Sequence, residues 1–364
     1  MSLEMQIGEL GKHGYPLSAP GKVRDAKGKV LRTVDSTGAF MVGELERLDQ
    51  TLHMPLASVT WHRDIDLRED VTIADELSSF TLSTGGSPGG LGTGNTVGRG
   101  KSWAGKQTNQ VTSQSVDISK IANPLRIWEQ EVKFTILELE SAAKTGRPID
   151  QQKFEFLQLK HQMDIDEQVY VGDLGTGDTG LLNNTLITNN KIVATGVSGY
   201  TPWISKTADE VLEDVNEIVT STWAASAWAV MPNRLLVPPV QFGFLSTAKV
   251  SQAGNVSLLR YLEENNITVR ANRGGALQIF PCKWLVGLNN GLSSPNFGVP
   301  GTKTASQDVM FCYTKQYNRV RYPMTMLQRT PVQYSGIWHM TTYFCRLGVV
   351  EVVYPECASW RYGI

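Results

Sequence analysis

Between Thr135 and Asn184 the chain reads TILELESAAKTGRPIDQQKFEFLQLKHQMDIDEQVYVGDLGTGDTGLLNN. Its first part, ILELESAAK (Ile136–Lys144), is a short helix stopped at Thr145-Gly146, with Pro148 just beyond. Asp150 then stands where an N-cap belongs, ahead of a long periodic run that ends at Gly172. Phe154, Leu157, Ile165 and Val169 fall on one side of that run. Phe156, Leu159, Met163 and Tyr170 widen the stripe and leave one solvated edge. At ~1.5 Å per residue, a helix over 150–171 is about 30 Å long. A helix of that length serves as a structural axis.

Working back toward the N-terminus, ASVTWHRDIDL, VTIADELSSFTLS, QVTSQSVDISKI and LRIWEQEVKFTI are rich in β-branched and aromatic residues and read as strands. Between the second and third lies a stretch with nine glycines in the 21 residues from Gly85 to Gly105. Glycine at that density packs no core, so the text describes a long β-hairpin with a projecting tip. The tip contains NTVGRGKS, which poses the question of a phosphate-binding loop. Such a loop needs a glycine where Asn95 stands, and a helix after Gly100-Lys101-Ser102; WAGKQTNQVTSQ makes a poor one. The stretch reads as an arm. Its one large aromatic, Trp103, is either an anchor that docks on a neighbouring molecule or a residue packed back onto its own hairpin. Residues 1–50 are polar and irregular, with weak helical character at Met41–Leu52.

Toward the C-terminus the pattern is mixed. TADEVLEDVNEIVTSTWAASAW is an amphipathic helix with Thr207 as its cap and Asp209-Glu210 in its first turn. RLLVPPVQFGFL reads as a strand pair broken by Pro238-Pro239, SLLRYLEEN as a short helix and ITVRAN as a strand. ALQIFPCKWLVG and DVMFCYTK are buried strands, and IWHMTTYFCRLGVVEVVYP is the most β-rich stretch of all.

Composition is globular, 41% hydrophobic and 19% charged, and the formal net charge is -1. That balance supplies no field for gripping DNA phosphates. The N-terminal text has no signal-peptide pattern, and the longest apolar stretch, Trp223–Met231, is too short to span a membrane. Cys282, Cys312, Cys345 and Cys357 never form a CxxC and read as reduced thiols of a protein that folds in a cytoplasm. His161 and Asp164 share a helix face, but no second motif joins them as metal ligands. Asp173 and Asp178 lack the rest of a calcium loop and read as a turn. Asp64, Asp66 and Asp70, interleaved with Arg63 and Arg68, read as an ion-pairing edge. The chain is expected to be no enzyme, with no catalytic residue, metal or cofactor.

The order of arm, hairpin, long helix, α/β body and β-rich return resembles the Hong Kong 97-type major capsid protein of tailed bacteriophages. Thr135–Asn184 carries the resemblance through its short helix, Gly-x-Pro turn, long helix, Gly-Asp and Gly-Leu-Leu-Asn sequence. Asp308–Pro355 carries it through a strand, Pro323-Met324, Pro331–Gln333 and a β-rich closing stretch. The resemblance implies an α+β fold with an N-terminal arm over 1–50 and an extended loop over 51–125, its tip at 85–105. It further implies a peripheral domain over 126–200 built on the spine helix 150–171, whose core residues are Phe154, Leu157, Ile165 and Val169. An axial domain over 201–334 follows, and residues 335–364 are expected to return as strands to the peripheral domain. The implied function is self-assembly, as hexamers and pentamers, into an icosahedral virion shell around double-stranded DNA. Scaffolding, portal and decoration proteins are the implied partners. An encapsulin-type nanocompartment shares the fold and is the alternative; a P-loop NTPase is the other. No Lys/Asn pair for an autocatalytic crosslink stands out.

Overall fold

The computed structural model describes residues 23–24, 30–31, 55–86, 106, 115–145, 149–173, 175–250, 256–271, 275–287 and 308–364. Asn95, Lys101, Trp103 and the expected helix over Met41–Leu52 lie outside the described residues. The chain divides into two units, Met1–Leu56 and Ala57–Ile364. In the first, β1 (Val23–Arg24) pairs antiparallel with β2 (Val30–Leu31).

The second unit opens with a single helical turn, α1 (Trp61–Asp64), and a short strand, β3 (Asp66–Arg68), where continuous strand is expected. The reason is tertiary. The Asp166 carboxylate, a hundred residues away in sequence, accepts from the Thr60 and Trp61 amides at 2.9 and 3.1 Å and so caps the turn. Next come β4 (Leu77–Gly86) and β5 (Ser115–Pro124), an antiparallel hairpin in register from Leu77↔Pro124 to Gly86↔Ser115. The chain continues directly into β6 (Arg126–Thr135), α2 (Ile136–Thr145) and the long helix α3 (Ile149–Tyr170). Asp150 therefore lies inside α3, one residue past its start, and not at its N-cap.

The end of α3 shows why GDLGTGDTGLLNN has its composition. Gly172 has φ +75, and a side chain at Gly172 or Gly180 would collide with backbone across the turn. The turn folds back so that the Leu181 and Leu182 amides donate to the Val169 and Tyr170 carbonyls at 2.7 and 3.0 Å. The last carbonyls of the helix are thereby satisfied, and both leucines are buried.

The remaining elements are β7 (Asn190–Ile192), α4 (Ala208–Ala225), β8 (Arg234–Val237), α5 (Pro239–Thr247), α6 (Leu258–Asn265) and α7 (Ile267–Ala271). They are followed by β9 (Gln278–Pro281), β10 (Val309–Tyr313), β11 (Val320–Pro323), β12 (Gln328–Arg329), β13 (Gln333–Ser335), β14 (Trp338–Leu347), β15 (Glu351–Val352) and β16 (Ala358–Tyr362). Two expectations fail here. Pro239 opens α5 at its first position, where a missing N–H costs nothing, so the second half of RLLVPPVQFGFL is helix. ITVRAN forms α7, in which the Asn266 side chain accepts from the Thr268 amide at 3.1 Å and closes the first turn.

Five strands form one sheet in the order β7-β16-β10-β8-β9. Both faces are covered. Leu236, Phe311, Tyr313 and Trp360 join a core that contains Ile165 and Val169 of α3 together with Leu347 and Val352. Leu235, Val237, Met310 and Cys312 point the other way, into a core with Val211, Val215 and Ile218 of α4. Every residue of β10 is buried, as a strand with two covered faces requires. A second sheet pairs β14 with β6 over ten residues, from Trp338↔Thr135 to Leu347↔Arg126, with β12 and β13 on the other edge of β14. A third joins β15, β11 and β3.

The closing residues 335–364 supply strands to two sheets. β14 lies along β6 as expected, but β16 enters the five-stranded sheet between β7 and β10. Trp360 of β16 is fully buried there, in the core that contains Ile165 and Val169.

Candidate assembly surfaces

The α3 helix lies on the β6–β14 sheet, and the contacts are specific. Leu157, Ile165 and Val169 are buried, while Phe154 is half-buried with its ring 5.4 Å from that of Tyr343. Phe156 and Met163 do not widen the buried stripe; both are exposed. His161 is buried instead, with Nε2 3.3 Å from the Cys345 sulfur and its ring edge-on to Trp128. Burial pushes its pKa down, which keeps the imidazole neutral against the sheet. Asp164 accepts from the Trp128 indole at 2.9 Å and from Lys160. His161 and Asp164 thus have separate partners, and no metal-binding cluster occurs among the described residues.

Three buried carboxylates hold the body together. Asp166 accepts, besides the α1 amides, from the Trp284 indole at 2.8 Å and pairs with Lys283 at 3.0 Å. Asp64 is bound by Arg63 at 2.7 Å and by the Tyr170 hydroxyl, and burial drives the Tyr170 pKa well above the ordinary phenol range. Glu351 accepts from Ser78, from Arg68 at 3.2 Å and from Arg321 at 2.6 Å. Of the expected ion-pairing edge, Arg68–Asp70 and Asp66–Lys315 are partly exposed pairs. Asp64 is not on an edge; it is fully buried. Sequence spacing could not reveal these three sites, because their partners lie up to 283 residues away.

The hairpin leaves the body at this ionic floor. Ser78 and Arg68 tie β4 to Glu351, and Arg68 also donates to the Ser79 carbonyl at 3.0 Å. Arg346 reaches backbone on both sides of the base, donating to Ile73 O at 2.6 Å and Leu125 O at 3.2 Å. Beyond this clamp the two faces differ. Phe80, Leu82 and Ile121 lie on the side that is buried or half-buried. Leu77, Val116 and Ile118 share the opposite face and are exposed. A two-stranded ribbon with an open aliphatic face is marginal by itself and acquires stability when something covers it.

Among the described residues the arrangement gathers reach and docking area: a rigidly based ribbon, an open apolar face and a doubly covered sheet. A family model described as "Major capsid protein" matches residues 100–364. The chain belongs to the major capsid protein family. Solved shells share its fold. The capsid of Myoviridae phage XM1 aligns with a TM-score of 0.66 at 14% identity, covering 88% of this chain and 98% of that one. The capsid of a native GTA particle gives 0.54 at 14%, covering 91% and 99%, and Mycobacterium phage Ogopogo gives 0.51 at 12%, covering 91% and 99%. Among curated proteins no sequence match was found. The fold is the Hong Kong 97-type α+β capsid fold, and this major capsid protein is a structural subunit of a capsid shell, located in the virion. No finding favours the encapsulin-type reading over it. No helix among the described residues is long and apolar enough to cross a membrane.

Proposed function

We propose that this capsid protein assembles as hexamers and pentamers whose extended hairpins bind neighbouring subunits, in the cytoplasm of a bacterial host. The observation that carries this reading is the hairpin with a clamped base and an exposed face of Leu77, Val116 and Ile118. Burying three aliphatic side chains against a neighbour contributes roughly 1.5–3 kcal/mol each, repeated at every contact in the shell. Trp103, in the glycine-rich sequence between the two strands, is the proposed anchor. Residues 126–200 serve as the peripheral part on the α3 spine and 201–334 as most of the axial part; the N-terminal 50 residues serve as an arm. Scaffolding and portal proteins guide closure, decoration proteins bind outside, and a chain of net charge -1 contains double-stranded DNA without gripping it.

The test is co-expression with the scaffold, followed by electron microscopy and sedimentation. The parent should form shells. Val116→Asp with Ile118→Asp should leave a folded subunit that forms none, and Trp103→Ala should give shells that dissociate at lower denaturant. Normal shells from the double aspartate variant would remove the hairpin from the interface.

A further inference from the structure

Two uncharged, exposed apolar patches sit at opposite ends of α4. The first is the loop 194–205, ATGVSGYTPWIS, in which Val197, Tyr200 and Ile204 are 96%, 66% and 85% exposed. They are held out on fixed backbone. Gly199 turns the chain at φ +80, the Gly196 amide donates to Tyr200 O at 3.0 Å, and the Val197 amide donates to Glu210 at 2.6 Å. Beneath them Trp203 is buried, its indole on Asp214 at 3.0 Å beside the buried Lys206–Asp214 pair.

The second patch follows the other end of the helix. Residues 218–233, IVTSTWAASAWAVMPN, contain no charge. Ala227 and Trp228 have φ of 53 and 65, left-handed values that are uncommon for residues with a side chain and costly at two consecutive positions. The turn is tied by Ser226, whose hydroxyl bonds Trp223 O at 2.7 Å and the Val230 amide at 3.1 Å. The Trp223 indole donates to Trp228 O at 3.0 Å, and the two rings meet edge-on at 4.7 Å. The result is Trp228 presented to solvent at 56% exposure, with Ala224, Ala225, Ala227 and Ala229 exposed around it. Strain that holds an aromatic side chain in water calls for a use outside the subunit.

The 18 residues of α4 separate the patches by about 27 Å, so they cannot meet within one chain. A closed ring of identical subunits joined head to tail needs two different patches on every copy. These two match in chemistry: both expose apolar side chains on segments that contain no charged residue, and one offers a large aromatic where the other offers aliphatic side chains around a turn. We propose that the Trp228 turn of one copy docks on the Val197–Ile204 loop of the next copy in the capsomer ring. The proposal rests on the shell reading.

Its test uses thiols placed beside the contact without removing it, Ser198→Cys and Ala229→Cys. All four native cysteines are buried, so the introduced pair is the reactive one. Assembled double variant treated with a short bismaleimide should give a ladder of crosslinked chains on a denaturing gel, and neither single variant should. Assembled particles without the ladder overturn the proposal, as does a crosslinked dimer from a single variant, which would mean a patch meeting itself. A parent that never assembles with its scaffold instead overturns the shell reading. Separately, Ile204→Ser and Trp228→Ala should each raise the protein concentration for half-assembly about tenfold or more. Together they should do no more than the worse one, because both delete one contact. Fully additive effects would place the two residues in different interfaces.

Discussion

Glu210 accepts from the Thr207 amide at 2.7 Å and from the Val197 amide at 2.6 Å, while its own amide bonds the Thr207 hydroxyl. One carboxylate therefore closes the capping box of α4 and pins the loop that carries Val197. Those bonds, the Val197 amide first and Thr207 next, hold its pKa below the ordinary glutamate range. A carboxylate with a lowered folded pKa stabilises the fold fully above its unfolded value, about 4.3, and loses that contribution as pH falls through the lower folded value. Glu210→Gln should accordingly melt below the parent near pH 7, with the difference closing as pH falls below the ordinary glutamate range. A difference that stays constant as pH falls would mean that the charge of Glu210 is not what acts.

At the scale of elements, the hairpin's direction is set by its base. Arg346 holds backbone on both sides of that base, Ile73 O before β4 and Leu125 O just after β5. Arg346→Met keeps the stem packed and removes two charge-assisted hydrogen bonds, at a cost of roughly 1–3 kcal/mol. Proteases should then cut near residues 73–76 faster than in the parent, and assembly should give irregular shells. Parent-like cleavage would show that Glu351 and Ser78 suffice. The elements themselves were legible to different degrees. Thr207 could be read as a cap because its partner, Glu210, lies three residues on. The long helix was legible to within one residue at each end, since its apolar stripe spans several turns. α1 and α7 were not: β-branched residues suggested strand, and the deciding groups were the distant Asp166 for one and a local Asn266 bond for the other. Of the surfaces, the hairpin was readable from glycine and strand pattern, whereas the clamp and the Trp228 turn depend on contacts and φ values that no spacing encodes.

For the whole molecule, the five-stranded sheet is a shared wall. Its two faces belong to different cores, one built on α3 and the other on α4. The two cores are therefore inseparable, and β16, near the end of the chain, belongs to the wall they share. A fragment of residues 201–334 lacks β16 and β7, which leaves β10 as an open edge and strips the core face of Phe311 and Tyr313. Expressed alone it should be insoluble or unfolded by circular dichroism. The Ala57–Ile364 unit should unfold in one calorimetric transition. A soluble, cooperatively folded 201–334 fragment would show that the wall can be divided.

The four unpaired cysteines have a consequence for the particle's life outside a cell. Each is buried, and burial pushes Cys312 and Cys345 up to about 12, with Cys282 and Cys357 raised as well. Near pH 7 only about one thiol in 10⁵ at Cys312 or Cys345 is ionised, and the thiolate is the form that oxidants and disulfides attack. A shell exposed to air and water thus carries its cysteine thiols in a protected state. That protection rests on packing, so ageing in oxygen should not stiffen the shell with stray disulfide crosslinks.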